Sequence, residues 1–452
     1  MPTRSDIDPR YKWDLSDYYA DTAAWKADLA ATDGMIARLA DLKDTLAQSA
    51  AALLKILELR DALGVRLERV YAYATLVKDQ DTREPEPQAL FDQAGSLLVK
   101  YGEASSWYEP ELLALPDGIL DEWCHSEPKL VVYRHAFDDV LRQRRHVLSA
   151  REEELLAMGG KLAQAPREAF TMLTNADLKF PTISDSQGQD VELSEGRYSL
   201  YLQSPDRALR KRAFEGTLGT YLSFKNTIAA TLAGSIQKDV FHARTHNYDS
   251  ALQAALDPDN VPVAVYDNLI ATVRKHLPKL HRYLEIRRRK LGLDQVHVYD
   301  TIVPLVDEEA PKIGYDDAVA KIVTGLEPLG AEYLEPMKRG FAGSWIDVCE
   351  TQGKRSGAYS MGIYAVHPYI LLNYNDTYNA MFTVAHEVGH SMHTWFTQQH
   401  QPPVYGDYPI FLAEVASTVN EVILGDDLRK RATNQAERLF LLNLEIEKIR
   451  GT

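Results

Sequence analysis

Long stretches of this chain repeat apolar residues every three or four positions, the spacing that gathers them on one face of an α-helix. Such runs lie near residues 22–46, 85–107, 130–176, 205–245 and 262–290, and they carry alanine, leucine and glutamate with few breakers. A different rhythm interrupts them. Leu178-Lys179-Phe180-Pro181-Thr182-Ile183, a Ser-Asp-Ser-Gln-Gly turn and Val191-Glu192-Leu193 spell a β-hairpin. Further along, Tyr378, Phe382, Ala385, Gly389 and Met392 recur as the stripe of a buried helix. Asn375, Asp376 and Thr377 offer N-caps in front of it, and Pro402-Pro403 bar its continuation. Gly389 costs about 1 kcal/mol against alanine at such a position, so close packing against another backbone is expected there. Helical runs are also read over 411–421 and 426–450. The pattern predicts a mainly α protein. A chain of 452 residues exceeds the size at which single cores stop growing, so two domains are expected, 1–195 ending in the hairpin and 196–452.

The stripe carries its own chemistry. His386-Glu387-Val388-Gly389-His390 places two imidazoles one turn apart on the same face, with a carboxylate beside the first. This is the H-E-x-x-H pattern of zinc peptidases, in which both histidines hold the ion and the glutamate handles a water proton. With 13 histidines in 452 residues, about 0.03 chance matches are expected, so the motif is specific. Two histidines leave zinc short of the three protein ligands usual at a catalytic site. His393 and Phe396 stand where the three-histidine variant needs glycine and histidine, which excludes that class. The remaining common choice is a glutamate on a following helix. Glu414 lies 28 residues after His386 (414 minus 386), on a run whose Phe411, Ala413 and Val415 suggest a buried apolar face. His386, His390 and Glu414 with one Zn2+ would form a His2Glu site. Glu421 sits two turns beyond Glu414 and is a candidate to accept the remaining N–H of a ligating histidine. His393 and His400 are read as ordinary helix or loop histidines.

A net charge of −15 argues against nucleic acid and anionic membrane as partners. The basic runs Arg142 to Arg145 and Arg287 to Lys290 are read as solvated helix faces. Only Cys124 and Cys349 occur, which excludes a disulfide framework and a cysteine-rich zinc site and suits a reducing cytoplasm. The polar start, Met1 to Asp6, lacks the apolar core of a signal peptide, and no apolar run is long enough to span a bilayer. G-x-S-x-G fails around Ser360, and no phosphate loop of the G-x-x-x-x-G-K-[ST] type is present.

The chain resembles the oligoendopeptidase F branch of the thimet-oligopeptidase-like zinc peptidases. The resemblance rests on Gly353 to Ser360, His367 to Tyr374, the His386–His390 helix and Ala413 to Thr418. It extends more loosely to Trp13-Asp14-Leu15 with Tyr18 and to Tyr73-Ala74 with Asp79 to Thr82. It implies a two-lobed helical body of zincin type around a deep substrate channel, with a small β element near the zinc helix. It implies His386, His390 and Glu414 as zinc ligands and Glu387 as general base on zinc-bound water. It also implies that Gly357, Ala358, Tyr359 and Ser360 form an edge strand that pairs with the substrate backbone, a sensible device for a peptidase that reads main-chain amides. Relatives of this kind run on past the Glu414 helix into a segment carrying oxyanion donors. The chain stops at Gly451-Thr452 and no such donor can be numbered, so a fragment that pairs with its own missing C-terminal segment is the favoured expectation.

The expected activity is zinc-dependent hydrolysis of internal bonds in short peptides. The rivals are a metallocarboxypeptidase and a peptide-binding fragment without turnover.

Overall fold

The computed structural model describes residues 2–305 and 312–451, and Met1, residues 306–311 and Thr452 lie outside it. About 71% of the chain is helical, so the mainly α expectation holds. Contacts group the chain into two units, Met1–Arg144 with Ala310–Thr433, and Arg145–Glu309 with Asn434–Thr452. This grouping differs from a single boundary near 195. The hairpin strands Thr182–Ser184 and Asp190–Glu192 belong to the second unit, where Leu193, Pro181 and Ile183 pack on Gly216 of the helix Arg207–Ser223.

In the first unit, helices Thr22–Ala40, Ala50–Gln80 and Pro85–Ser105 pack around a common core. Trp25, Leu39, Leu53, Leu63 and Leu76 are fully buried there, and the Trp25 indole N–H donates to the Val70 carbonyl at 2.9 Å. The periodic runs named above omit Ala50–Gln80, although at 31 residues it is a long helix. Its apolar residues (Leu53, Leu54, Ile56, Leu57) cover more than one face because neighbours pack around it, which blurs a single stripe.

A three-stranded sheet in the same unit has Val366–Tyr374 at its centre. Ile346–Cys349 pairs with it in parallel on one side, and Tyr359–Ile363 pairs antiparallel on the other. Tyr369, Ile370, Leu371 and Leu372 are all buried, as a covered central strand requires. The buried Lys354 ammonium lies 2.6 Å from Asp347 Oδ1 and donates to the Cys349 carbonyl at 2.7 Å, tying the turn after the first strand. Against this sheet packs the helix Tyr378–His400, which is crossed by the helix Ile410–Arg431.

In the second unit the basic run at 287–290 is not a uniformly solvated face. Arg287 is fully buried. Its guanidinium donates to the Asp300 and Val303 carbonyls and to Tyr283 Oη, and meets Glu447 Oε1 at 3.2 Å. Arg289 takes the exposed arrangement expected and Arg288 is partly covered, donating to the Leu293 carbonyl at 3.0 Å; both pair with Glu285. A run of like charges cannot reveal that one member faces the carbonyls of a folded-back loop. Arg142, in the first unit, is likewise partly covered rather than fully solvated.

Asp300 lies beside this loop, fully buried, and accepts from Arg207 and Arg210 at 2.9 Å each. Burial alone would raise its pKa, but those guanidinium bonds and the His297 N–H outweigh it and hold the carboxyl near 2. The folded value is lower than the unfolded one. The stabilisation is therefore complete above about pH 4 and fades as pH falls toward 2. Asp300→Ala leaves the buried Arg210 guanidinium without its counter-charge, though still bonded to main-chain carbonyls, and should cost about 3–5 kcal/mol at pH 7, read from urea or thermal melts.

Candidate metal and catalytic site

The helix Tyr378–His400 starts at Thr377, whose hydroxyl accepts from the Ala380 N–H at 3.1 Å. Tyr378, Phe382, Ala385, Gly389 and Met392 are all buried, so the predicted stripe is the packed one. Gly389 lies at the crossing with Ile410–Arg431. A Cβ there would meet Ser417 Cα at 2.6 Å, the Ala416 carbonyl oxygen at 2.8 Å and Ser417 N at 2.9 Å. These are backbone atoms and cannot swing aside. Gly389→Ala should therefore cost about 1–3 kcal/mol and weaken metal binding by pushing the Glu414 helix away, as a thermal melt and a metal titration would show. A further tie spans the helices: buried Asn420 donates to the Ala385 carbonyl at 3.0 Å and accepts from Tyr333 Oη at 2.8 Å.

That crossing brings the predicted ligands together. His386 Nε2 and His390 Nε2 are 3.1 Å apart, and Glu414 Oε2 lies 3.4 Å from the first and 3.7 Å from the second. A tetrahedral zinc with bonds of about 2.0–2.1 Å separates its ligand atoms by roughly 3.3 Å, so the three donors have the spacing that ion imposes. Their protonation agrees. His386 Nδ1 lies 2.7 Å from Glu421 Oε1, so its N–H points there and the Nε2 lone pair faces inward. The His390 ring is bonded in the same manner to the Ala413 main chain. Two lone pairs and a carboxylate oxygen thus converge, a donor set suited to a divalent cation.

The helix bearing Glu414 is not apolar and buried in the way its sequence suggested. Phe411 and Val415 are 59% and 54% exposed, and Glu414 itself is about half exposed. The buried face carries Ser417, Asn420, Leu424 and Leu428 instead. Ser417 Oγ donates to Glu414 Oε2 at 3.0 Å and helps aim the carboxylate.

Charge around the site is uneven. The hydrogen bond to Glu421 raises the pKa of His386 despite burial, whereas burial and the neighbouring His386 lower that of His390. Glu387 is 7% exposed, and burial pushes its carboxyl up to about 7 against the opposing influence of His386 and the Ser360 main chain. A cation held by the adjacent donors would favour the ionised carboxylate. His393 stacks on Tyr408 with centroids 3.7 Å apart, in line with its reading as an ordinary helix residue.

Of the four residues expected to bind substrate, Tyr359 and Ser360 lie in the outer strand Tyr359–Ile363, while Gly357 and Ala358 lie in the irregular segment ahead of it. Gly357 has φ +86°, which only glycine adopts freely, and Asn373 Nδ2 donates to its carbonyl at 2.8 Å. The Tyr359 hydroxyl is already engaged, donating to the buried Asp79 at 2.9 Å. A cavity of about 370 Å³ opens along the strand, lined by Ser360, Met361, Gly362, Thr394, Asp407 and Tyr408 among others.

A helical body with an H-E-x-x-H helix crossed by a glutamate-bearing helix defines a metal-dependent peptidase. The family model described as Peptidase family M3 matches residues 200–452, and the one described as Oligopeptidase F matches residues 111–180. Oligopeptidase PepF of Bacillus subtilis is 41% identical over 452 residues, covering 100% of this chain and 68% of that protein. A solved structure from Chlamydophila abortus is 36% identical with a TM-score of 0.88, covering 99% of this chain and 75% of that one. Oligoendopeptidase-F from Enterococcus faecium is 35% identical with a TM-score of 0.67, covering 94% of this chain and 71% of that one. The chain belongs to peptidase family M3, in its oligopeptidase F branch, and is a metallo-oligopeptidase that hydrolyses peptides.

Proposed function

We propose that His386, His390 and Glu414 hold one zinc ion, and that the chain cuts internal bonds of short peptides with Glu387 as general base. The observation carrying this reading is the convergence of the three donor atoms at 3.1, 3.4 and 3.7 Å, one residue from a buried carboxylate. When bound, zinc supplies a Lewis acid for the scissile carbonyl and lowers the pKa of water it holds. Glu387 takes the proton of the attacking water and returns it to the leaving nitrogen. Its carboxyl is suited to both directions of transfer because burial resists a permanent charge while His386 and the Ser360 main chain favour one. Glu421 holds the His386 ring so that Nε2 faces the ion. The unpaired side of Tyr359–Ile363 offers main-chain groups to an extended substrate, an arrangement that recognises peptides with little regard to their side chains.

No described helix is long and apolar enough to cross a membrane. Cys124 and Cys349 are both free thiols, which supports a cytoplasmic setting.

A peptide blocked at both ends tests internal cleavage. The zinc-loaded chain should cut it to two products. Cleavage only after the C-terminal block is removed would favour a carboxypeptidase instead, and bound peptide with no products would favour a binding protein.

A further inference from the structure

Two side chains on the Glu387 helix grip one residue of the outer strand. Glu387 and Ser391 are one turn apart on the same helix face. The Ser360 main chain hydrogen-bonds to the Glu387 carboxylate, and Ser360 Oγ lies 2.8 Å from Ser391 Oγ. Ser391 is 3% exposed. A buried helical hydroxyl commonly satisfies itself on the carbonyl one turn back, as Thr383 does on Asn379 and Thr397 on His393. The hydrogen bond of Ser391 instead reaches off its own helix to the strand.

We propose that Ser391 is a positioning residue for Glu387: by holding the Ser360 hydroxyl, it fixes the strand main chain that orients the carboxylate. The inference rests on the reading of Glu387 as general base. Neighbouring geometry points the same way. Gly362, two residues further along the strand, lies so near Thr394 that a Cβ would meet Thr394 Cγ2 at 2.4 Å, so strand and helix are in close contact just beyond the clamp. A base must sit within a few tenths of an ångström of its working position for full rate, so freeing the strand at Ser360 should cost turnover more than substrate affinity.

The test is a double-mutant cycle of Ser391→Ala and Ser360→Ala in the zinc-loaded chain, with a short blocked peptide as substrate. Zinc content and thermal midpoint are measured for each variant. Each single change should lower kcat about tenfold and move KM by less than about twofold. The double variant should be no slower than either single one, because both remove the same bond. Unchanged kcat in Ser391→Ala, losses that multiply in the double variant, or a loss that follows zinc content or KM would overturn the proposal. A purely structural Ser391 would lower the thermal midpoint and leave kcat of the folded enzyme intact, which also overturns it. If Ser391→Ala does not fold, Ser360→Ala carries the test alone, because Ser360 is only partly buried and its truncation removes a single hydroxyl. An error in the role of Glu387 shows separately, as near-normal turnover in Glu387→Gln whatever the serine variants do.

Discussion

Glu387→Gln is expected to lower kcat about 10³-fold while zinc remains bound in full. That is a loss of about 4 kcal/mol of barrier lowering. Glutamine matches glutamate in size and can still accept from the Ser360 main chain, so the contact between helix and strand persists. What it lacks is a basic electron pair. The proposed ligands His386 and His390 are untouched, and their bonds to Glu421 and to the Ala413 main chain keep both rings in place. A near-normal rate in this variant would remove Glu387 from the mechanism. A fall in zinc content parallel to the fall in rate would mean that the residue acts by shaping the site.

Glu414→Ala should have the opposite signature, a loss of the metal itself. It removes one of three donors and the only charged one, so affinity should fall more than about 100-fold, beyond the 10–100-fold typical of residues that merely support a ligand. Glu421→Ala should fall within that smaller range, since it frees the His386 ring without removing a donor. Competition with a chromophoric chelator measures both. Stability should change little in Glu414→Ala, because the side chain is half exposed and the Asn420 and Gly389 contacts hold the helices together. Equal affinity losses in the two variants would contradict the assignment of Glu414 as a ligand.

Much of this site was legible in the sequence because its geometry is local. Residues 386, 387 and 390 share a helix, and helical spacing alone sets how they face. The Thr377 cap and the close approach at Gly389 follow from equally local rules of capping and of glycine cost. Glu414 was singled out by the coordination number of zinc, and the structure brings its carboxylate within 3.7 Å of both imidazoles. One supporting argument was mistaken: Phe411 and Val415, one turn apart, share the exposed face of their helix, and its buried face carries Ser417, Asn420, Leu424 and Leu428 instead.

What escaped depends on contacts between distant segments. The bond from Ser391 to Ser360 joins residues 31 apart, and the Tyr359 hydroxyl meets Asp79 across 280 residues. Single serines and aspartates give no periodic signal, so nothing local marks them. Arg287 failed for a related reason: its neighbours in sequence are solvated, and its own burial depends on the carbonyls of Asp300 and Val303. The membership of the hairpin in the second unit likewise depends on a contact distant in sequence, its packing on Gly216 of the helix Arg207–Ser223.

Anomalous diffraction at the zinc edge from crystals grown with zinc tests the central claim most directly. The account predicts one strong peak about 2.0–2.2 Å from His386 Nε2, His390 Nε2 and a Glu414 carboxylate oxygen. A peak elsewhere, or one at the histidines with Glu414 turned away, would contradict it.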